Sequence, residues 1–158
     1  MAASAEQMTL KITGATGGST DPKWTGVFPL ERVEWGMQGS TNLHTLNYNK
    51  DNCYTRVSVG DVFVAMKQSS GSPNLMSIFS KRQAWTTATI TVKTTGAEAI
   101  TYTLTTVSAK SYRSIATGSG IPMEEVLLHF ADLSVSYSGG TGASQFQISG
   151  HTQDGKPA

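Results

Sequence analysis

Three histidines, one cysteine and one adjacent pair of carboxylates are the residues of this 158-residue chain best suited to chemistry. His44, His129 and His151 could each bind a metal or move a proton. Metal sites draw ligands at short, fixed spacings, and these three lie far apart with only Cys53 to assist them. Cys53 stands in "KDNCYTR", where Lys50 and Arg56 are cations of the kind that depress a thiol pKa. No pattern puts a histidine beside it as a base, so a bystander thiol is the plainer reading. Glu124 and Glu125 are neighbours on a strand and point to opposite faces, the wrong geometry for paired acid–base work. They read as solvating a strand end. His129 falls on the polar parity of "VLLHF" and reads as a sheet-surface histidine. The chain lacks a G-x-x-x-x-G-K-[ST] phosphate loop, a G-x-G-x-x-G turn after a strand and a G-x-S-x-G elbow. The expectation is no catalytic, cofactor-binding or metal-binding residue, and no enzyme.

Charge excludes other classes. Twelve Lys and Arg stand against 11 Asp and Glu, for a net charge of +1. That leaves no basic excess for nucleic acid or an anionic membrane. Trp35 shares the core parity of its strand and Trp85 begins another, and neither is interleaved with a basic stripe. Charged residues make up 15% of the chain, a low share that suits packing against copies of itself. One cysteine permits no intrachain disulfide and points to a reducing cytosol. "MAASAEQMTLK" has neither a basic n-region nor an apolar run, so no secretory signal is read there. No apolar stretch approaches the roughly 20 residues that span a bilayer, and no membrane insertion is expected.

The elements that must position these residues are mostly strands. "MTLKIT" alternates Met8, Leu10 and Ile12 against Thr9, Lys11 and Thr13. Leu30 to Met37 reads as a strand with Val33 and Trp35 on one face and Arg32 and Glu34 on the other. Gly39 to Tyr54 has no clear period and is polar; a loop this long is usually functional or disordered, and both a floppy surface loop and an arm that docks on a neighbouring subunit stay open. "TRVSVGDVFVAMKQ" changes parity at Gly60-Asp61, which predicts a β-bulge. "ATITVKTTGAEAITYTL" reads as a hairpin with one apolar face and one threonine face. "EEVLLHFADLSVSY" changes parity at Ala131-Asp132, a second expected bulge. "QFQIS" is a short last strand, and residues 150–158 form a polar tail.

One helix interrupts this pattern. In "SPNLMSIFSKRQ", Ser72 is placed to cap, Pro73 suits the first turn, and Lys81 and Arg82 suit the last. Leu75, Met76 and Phe79 form its apolar stripe. Isolated helices under roughly 12 residues are marginal, so it must lie on the sheet. Pro73, Leu75, Met76 and Phe79 are therefore the expected packing residues. The fold class that follows is all-β with one short helix, a β-barrel-like pair of packed sheets in a single domain over residues 1–149.

Four stretches together resemble the Hcp family, the hemolysin-coregulated proteins that build the inner tube of bacterial type VI secretion systems. "VEWGMQ" is similar to the family's Trp-Gly element. "VSVGDVFVAMKQSSGSPNLMSIFSKRQ" is similar to its bulged strand and Pro-Asn-Leu helix. "ATITVKTTGAEAITYTLTTV" resembles its central hairpin, and "EEVLLHFADLSVSYS" its late strand. The loop after "WGMQ" differs, being Asn-rich where the family's is often glycine-rich. The resemblance implies a homo-hexamer whose rings stack into a tube, with sheath, spike and effector proteins as partners. It implies no cofactor. It places the protein in the bacterial cytoplasm until it is secreted without a signal peptide. Asn42, Leu43, His44, Leu46 and Tyr48 become candidates for the contact between stacked rings, and Arg32 and Glu34 for the lumen wall. A monomeric β-sandwich binding module remains open on composition and alternation alone, as does a tail-tube protein of another contractile particle.

Overall fold

Alternation in "MTLKI" and in "TATITVK" gives two strands that pair over their shared apolar length. In the computed structural model, which describes residues 8–15, 17–18, 26–41, 55–93, 98–139, 144–149 and 152–154, β1 (Met8–Ile12) lies antiparallel to β7 (Trp85–Lys93), with Leu10 opposite Ile90. β7 pairs in turn with β8 (Ala99–Ile115), the longest of the described strands. Leu10, Ile12, Ala88, Ile90 and Leu104 point one way and are buried, while the threonines between them point the other.

The sheet then curls back on itself. β8 continues to β9 (Met123–His129), β9 to β6 (Val62–Lys67), and β6 to β3 (Arg32–Glu34). At the far end β1 pairs with β2 (Phe28–Pro29). Because β2 runs straight into β3, the segment between them joins the two ends. Leu30 N–H donates to the Met8 carbonyl at 2.9 Å, and Glu31 N–H to the Ala65 carbonyl at 2.8 Å. The result is a barrel filled by Leu10, Val64, Ile90, Leu104, Leu128 and Phe130. β10 (Asp132–Ser138) and β11 (Ser144–Ser149) extend the sheet beside the first half of β8. A second, separate sheet joins β4 (Met37–Thr41), β5 (Thr55–Val59) and β12 (Thr152–Asp154).

The two parity changes have different structural causes. Beyond the Glu34–Phe63 pair, Trp35 and Gly36 face Gly60, Asp61 and Val62 before pairing resumes at Met37–Val59. One strand thus carries an extra residue, and there the chain passes from the barrel into the small sheet. The expected strand from Leu30 to Met37 is divided at the same level. At Ala131-Asp132 the expectation of a bulge is corrected. Phe130 and Ala131 face Thr106 and Val107, two residues against two, so register is kept across the break. Both strands change parity together, and Thr106 takes up the bend with φ of 49°. The extra residue lies further along β8, where Ala109 faces Leu128 and Ser111 faces Leu127, leaving Lys110 unmatched.

The helix α1 (Ser72–Ser80) packs along the second half of β8. Leu75 is 1% exposed, and the Phe79 ring lies 6.2 Å from that of Tyr112. Two packing expectations are corrected: Met76 is 39% exposed and Pro73 is exposed as well. A step of one residue turns a helix by about 100°, so Met76 cannot share a narrow stripe with Leu75. Ile78, at i+3 from Leu75, is packed against the core instead. Gly71, not Ser72, occupies the N-cap, and Lys81 and Arg82 fall beyond the last helical residue. Thr152–Asp154, read from sequence as tail, pair with Arg56–Ser58.

Candidate functional site

Period-two alternation on five adjacent strands builds one continuous polar face. Lys11, Thr89, Thr103, Ser134 and Gln147 stand side by side in register across β1, β7, β8, β10 and β11. Thr91, Thr101, Ser136 and Gln145 form the neighbouring row. Neighbouring strands lie about 4.8 Å apart, so this is a regular grid of hydroxyl and amide groups with few charges. A grid of this kind hydrogen-bonds water or extended backbone without preferring one partner.

The strands also leave free edges. β11 pairs with β10 on one side and with no described strand on the other. Its Phe146 is 42% exposed. β4 and β12 are the outer strands of the small sheet. Exposed edges invite pairing with another chain.

The small sheet is an arm. β4 and β5 leave the barrel at Gly36 and Gly60, where Gly60 N–H donates to the Gly36 carbonyl at 2.9 Å. At its root Val59 reaches into the core. Next to it, the Asp61 carboxylate receives two groups from the barrel. Lys110 Nζ lies 3.0 Å from Oδ2 and His129 Nδ1 lies 2.8 Å from Oδ1. Burial works to raise the Asp61 pKa, but the hydrogen bonds and charges of Lys110 and His129 outweigh it and hold the carboxyl below its ordinary value.

On the barrel's inner side, Met8, Val33, Trp35, Val92 and Tyr102 line a cleft of about 570 Å³ with Glu34 at its rim. The Trp35 ring meets Tyr102 edge-on at 6.4 Å. Beneath the helix start, Glu124 is fully buried. It accepts hydrogen bonds from Ser72 Oγ at 2.9 Å and from Tyr112 Oη at 2.7 Å. Burial, and then the bond to Glu124, push the Tyr112 pKa well above its ordinary value. Among the described residues no cluster of three or more His, Cys, Asp or Glu is placed to hold a metal ion.

The family profile described as "Type VI secretion system effector, Hcp" matches residues 9–137. The chain belongs to the Hcp family. Solved structures of similar fold include a type VI secretion system effector from Yersinia pestis, 20% identical, with a TM-score of 0.73 over 90% of this chain and 98% of that one. Hcp1 from Salmonella typhimurium is 21% identical, with a TM-score of 0.74 over 90% and 93% of the two chains. The secreted protein Hcp3 from Pseudomonas aeruginosa is 11% identical, with a TM-score of 0.59 over 90% and 96%. No curated protein sequence matches the chain. As a member of the Hcp family the protein is a type VI secretion tube subunit, a structural and secreted protein. No described helix is long and apolar enough to cross a membrane.

For this Hcp chain the site expectations from sequence fall into three groups. Asn42, Leu43, His44, Leu46 and Tyr48, with Cys53 and His151, lie outside the described residues. Arg32 and Glu34 are exposed on β3 and form an ion pair with each other. Leu75 and Phe79 pack, whereas Pro73 and Met76 do not. Three features escaped sequence reading: the buried Glu124, the Asp61 cluster and the joint at Gly36 and Gly60. Glu124 is the second residue of β9, whose even positions Val126 and Leu128 are buried, as is Phe130 just beyond it. Parity alone puts Glu124 on the buried face. The Asp61 cluster joins residues 49 and 68 positions apart and left no local signal.

Proposed function

We propose that this tube subunit closes head-to-tail into hexameric rings, that the rings stack, and that effectors travel in the lumen. The observation that carries this reading is the pair of unlike free edges. A head-to-tail ring needs two different, complementary patches on every subunit. β11, with Phe146 exposed, and the outer strands of the arm are such patches. Ring closure covers edges that would otherwise aggregate. The low charge of the chain agrees with surfaces that are covered in the assembly.

In this reading the loop at the end of β4 and β5, with Asn42, Leu43, His44, Leu46 and Tyr48, touches the next ring. Arg32 and Glu34 face the lumen, where their mutual pairing keeps the wall close to neutral. The hydroxyl grid continues that wall and lets cargo slide. Sheath, spike and effector proteins are the partners, and secretion proceeds without a signal peptide.

Sedimentation of the purified protein, with negative-stain images of the same sample, tests the assembly. Rings with an open centre are the expected result. A monomer at every concentration would overturn it and favour a ligand-binding module. The cleft of Met8, Val33, Trp35, Val92 and Tyr102 would then be the place to look for a ligand.

A further inference from the structure

The arm and the barrel are joined through a pair of glycines, Gly36 and Gly60, which face each other across the joint. A Cβ at Gly36 would meet nothing within 4 Å, and one at Gly60 only the Gly36 carbonyl oxygen, at 3.2 Å. Neither residue carries a side chain that could stop rotation, and glycine backbone is permissive. The strands of the arm pair with one another in a sheet of their own and not with the barrel ladder. One backbone hydrogen bond and the buried Val59 hold the root of the arm, and a side-chain contact beside them is placed to fix its angle.

Asp61 stands directly after the joint. Its side chain is 13% exposed and each oxygen has its own barrel partner. Lys110 is the unmatched residue of β8, and its ammonium reaches Oδ2. His129 ends β9, and its Nδ1 faces Oδ1. A carboxylate is acceptor-only, so that Nδ1 carries the proton. Two partners on two strands fix the carboxylate in position and direction, as one partner could not. The extra residue on the Gly60 strand and the unmatched Lys110 on β8 are independent irregularities, and they meet at this carboxylate.

We propose that Asp61 is a positioning residue: clamped by Lys110 and His129, it locks the β4–β5–β12 arm at one angle to the barrel, so that the loop at the arm's far end meets the next ring in register. The second half of this inference rests on the ring-stacking function proposed above; the first half does not. With β4 five residues long, the arm reaches about 17 Å, and a small error of angle at the joint becomes an error of several ångströms at the tip.

Hydrogen exchange on the intact protein tests the clamp, with stack length in sedimentation as the second readout. Asp61→Asn and Lys110→Met are expected to speed exchange in β4 and β5 by about tenfold or more, with β7 and β8 unchanged. Lys110→Arg, which keeps the charge pair, is expected to behave as the unmodified protein. The same two disruptive variants are expected to form single rings and few stacks. Unchanged exchange in the arm would overturn the clamp. Equal acceleration in every strand would also overturn it, because Asp61 would then serve general stability. Faster arm exchange with normal stacks would overturn the positioning role. If the unmodified protein forms no rings, the assembly reading fails, yet the exchange comparison still decides the clamp.

Discussion

A helix of nine residues leaves little room for error in which side chains hold it. Leu75 is in the core and Met76, its neighbour, is in solvent. Leu75→Asp is expected to cost about 3–5 kcal/mol, since an unpaired charge would replace a packed side chain. Met76→Asp is expected to stay within about 0.5 kcal/mol of the parent. Denaturant melts of the two variants check this, and comparable losses would mean that the helix is held by a different face. Tyr112 gives a prediction in pH. Its raised pKa means that the folded state prefers the neutral phenol. The stability this contributes is complete below the unfolded pKa of about 10 and is lost as pH rises towards the folded value. Absorbance titration of phenolate should therefore show a late step, at unfolding, that includes Tyr112, and Tyr112→Phe should reduce that step by one tyrosine. A Tyr112 phenolate forming near the ordinary tyrosine pKa would contradict the hydrogen bond to Glu124. Leu75 was readable from period and capping residues. For Glu124 only the parity was readable; a carboxylate is taken for a surface group until its donors, 12 and 52 residues away, are known.

Among the elements, the strands of the central hairpin were legible almost residue by residue, since alternation from Thr87 to Lys93 admits one reading. The corners were less so. A change of parity looks the same whether one strand gains a residue or two partners turn together. Only the pairing separates Gly60-Asp61, where a residue is added, from Ala131-Asp132, where none is. The joint turn strains Thr106, whose φ of 49° is rare for a β-branched residue. Left-handed backbone costs an L-residue about 1–2 kcal/mol, and glycine loses part of that advantage through its freer unfolded chain. Thr106→Gly is thus expected to stabilise by up to about 1 kcal/mol, read as a higher melting temperature. A loss of more than about 1 kcal/mol would mean that the threonine side chain holds the bend.

For the whole molecule, the family and the fold class were visible in the order of four ordinary-looking stretches, none of which is specific alone. The arm was not, because β12 is three polar residues long and pairs with a strand nearly a hundred positions earlier. Deleting Thr45 to Asn52 is expected to leave single rings intact and to shorten stacks. Images of isolated monomers would instead assign that loop to the contact between subunits within a ring.

The late pairing of β12 also orders events in time. A chain emerging from the ribosome can complete its barrel and the sheet extension of β10 and β11 while the arm still has two strands. The third arrives with the last stretch of described sequence. A subunit still being made, or one cut short after the barrel, therefore shows its neighbours an unfinished arm. Synthesis order then works as a quality check: if the arm carries stacking, only chains translated past β12 are equipped to lengthen a tube.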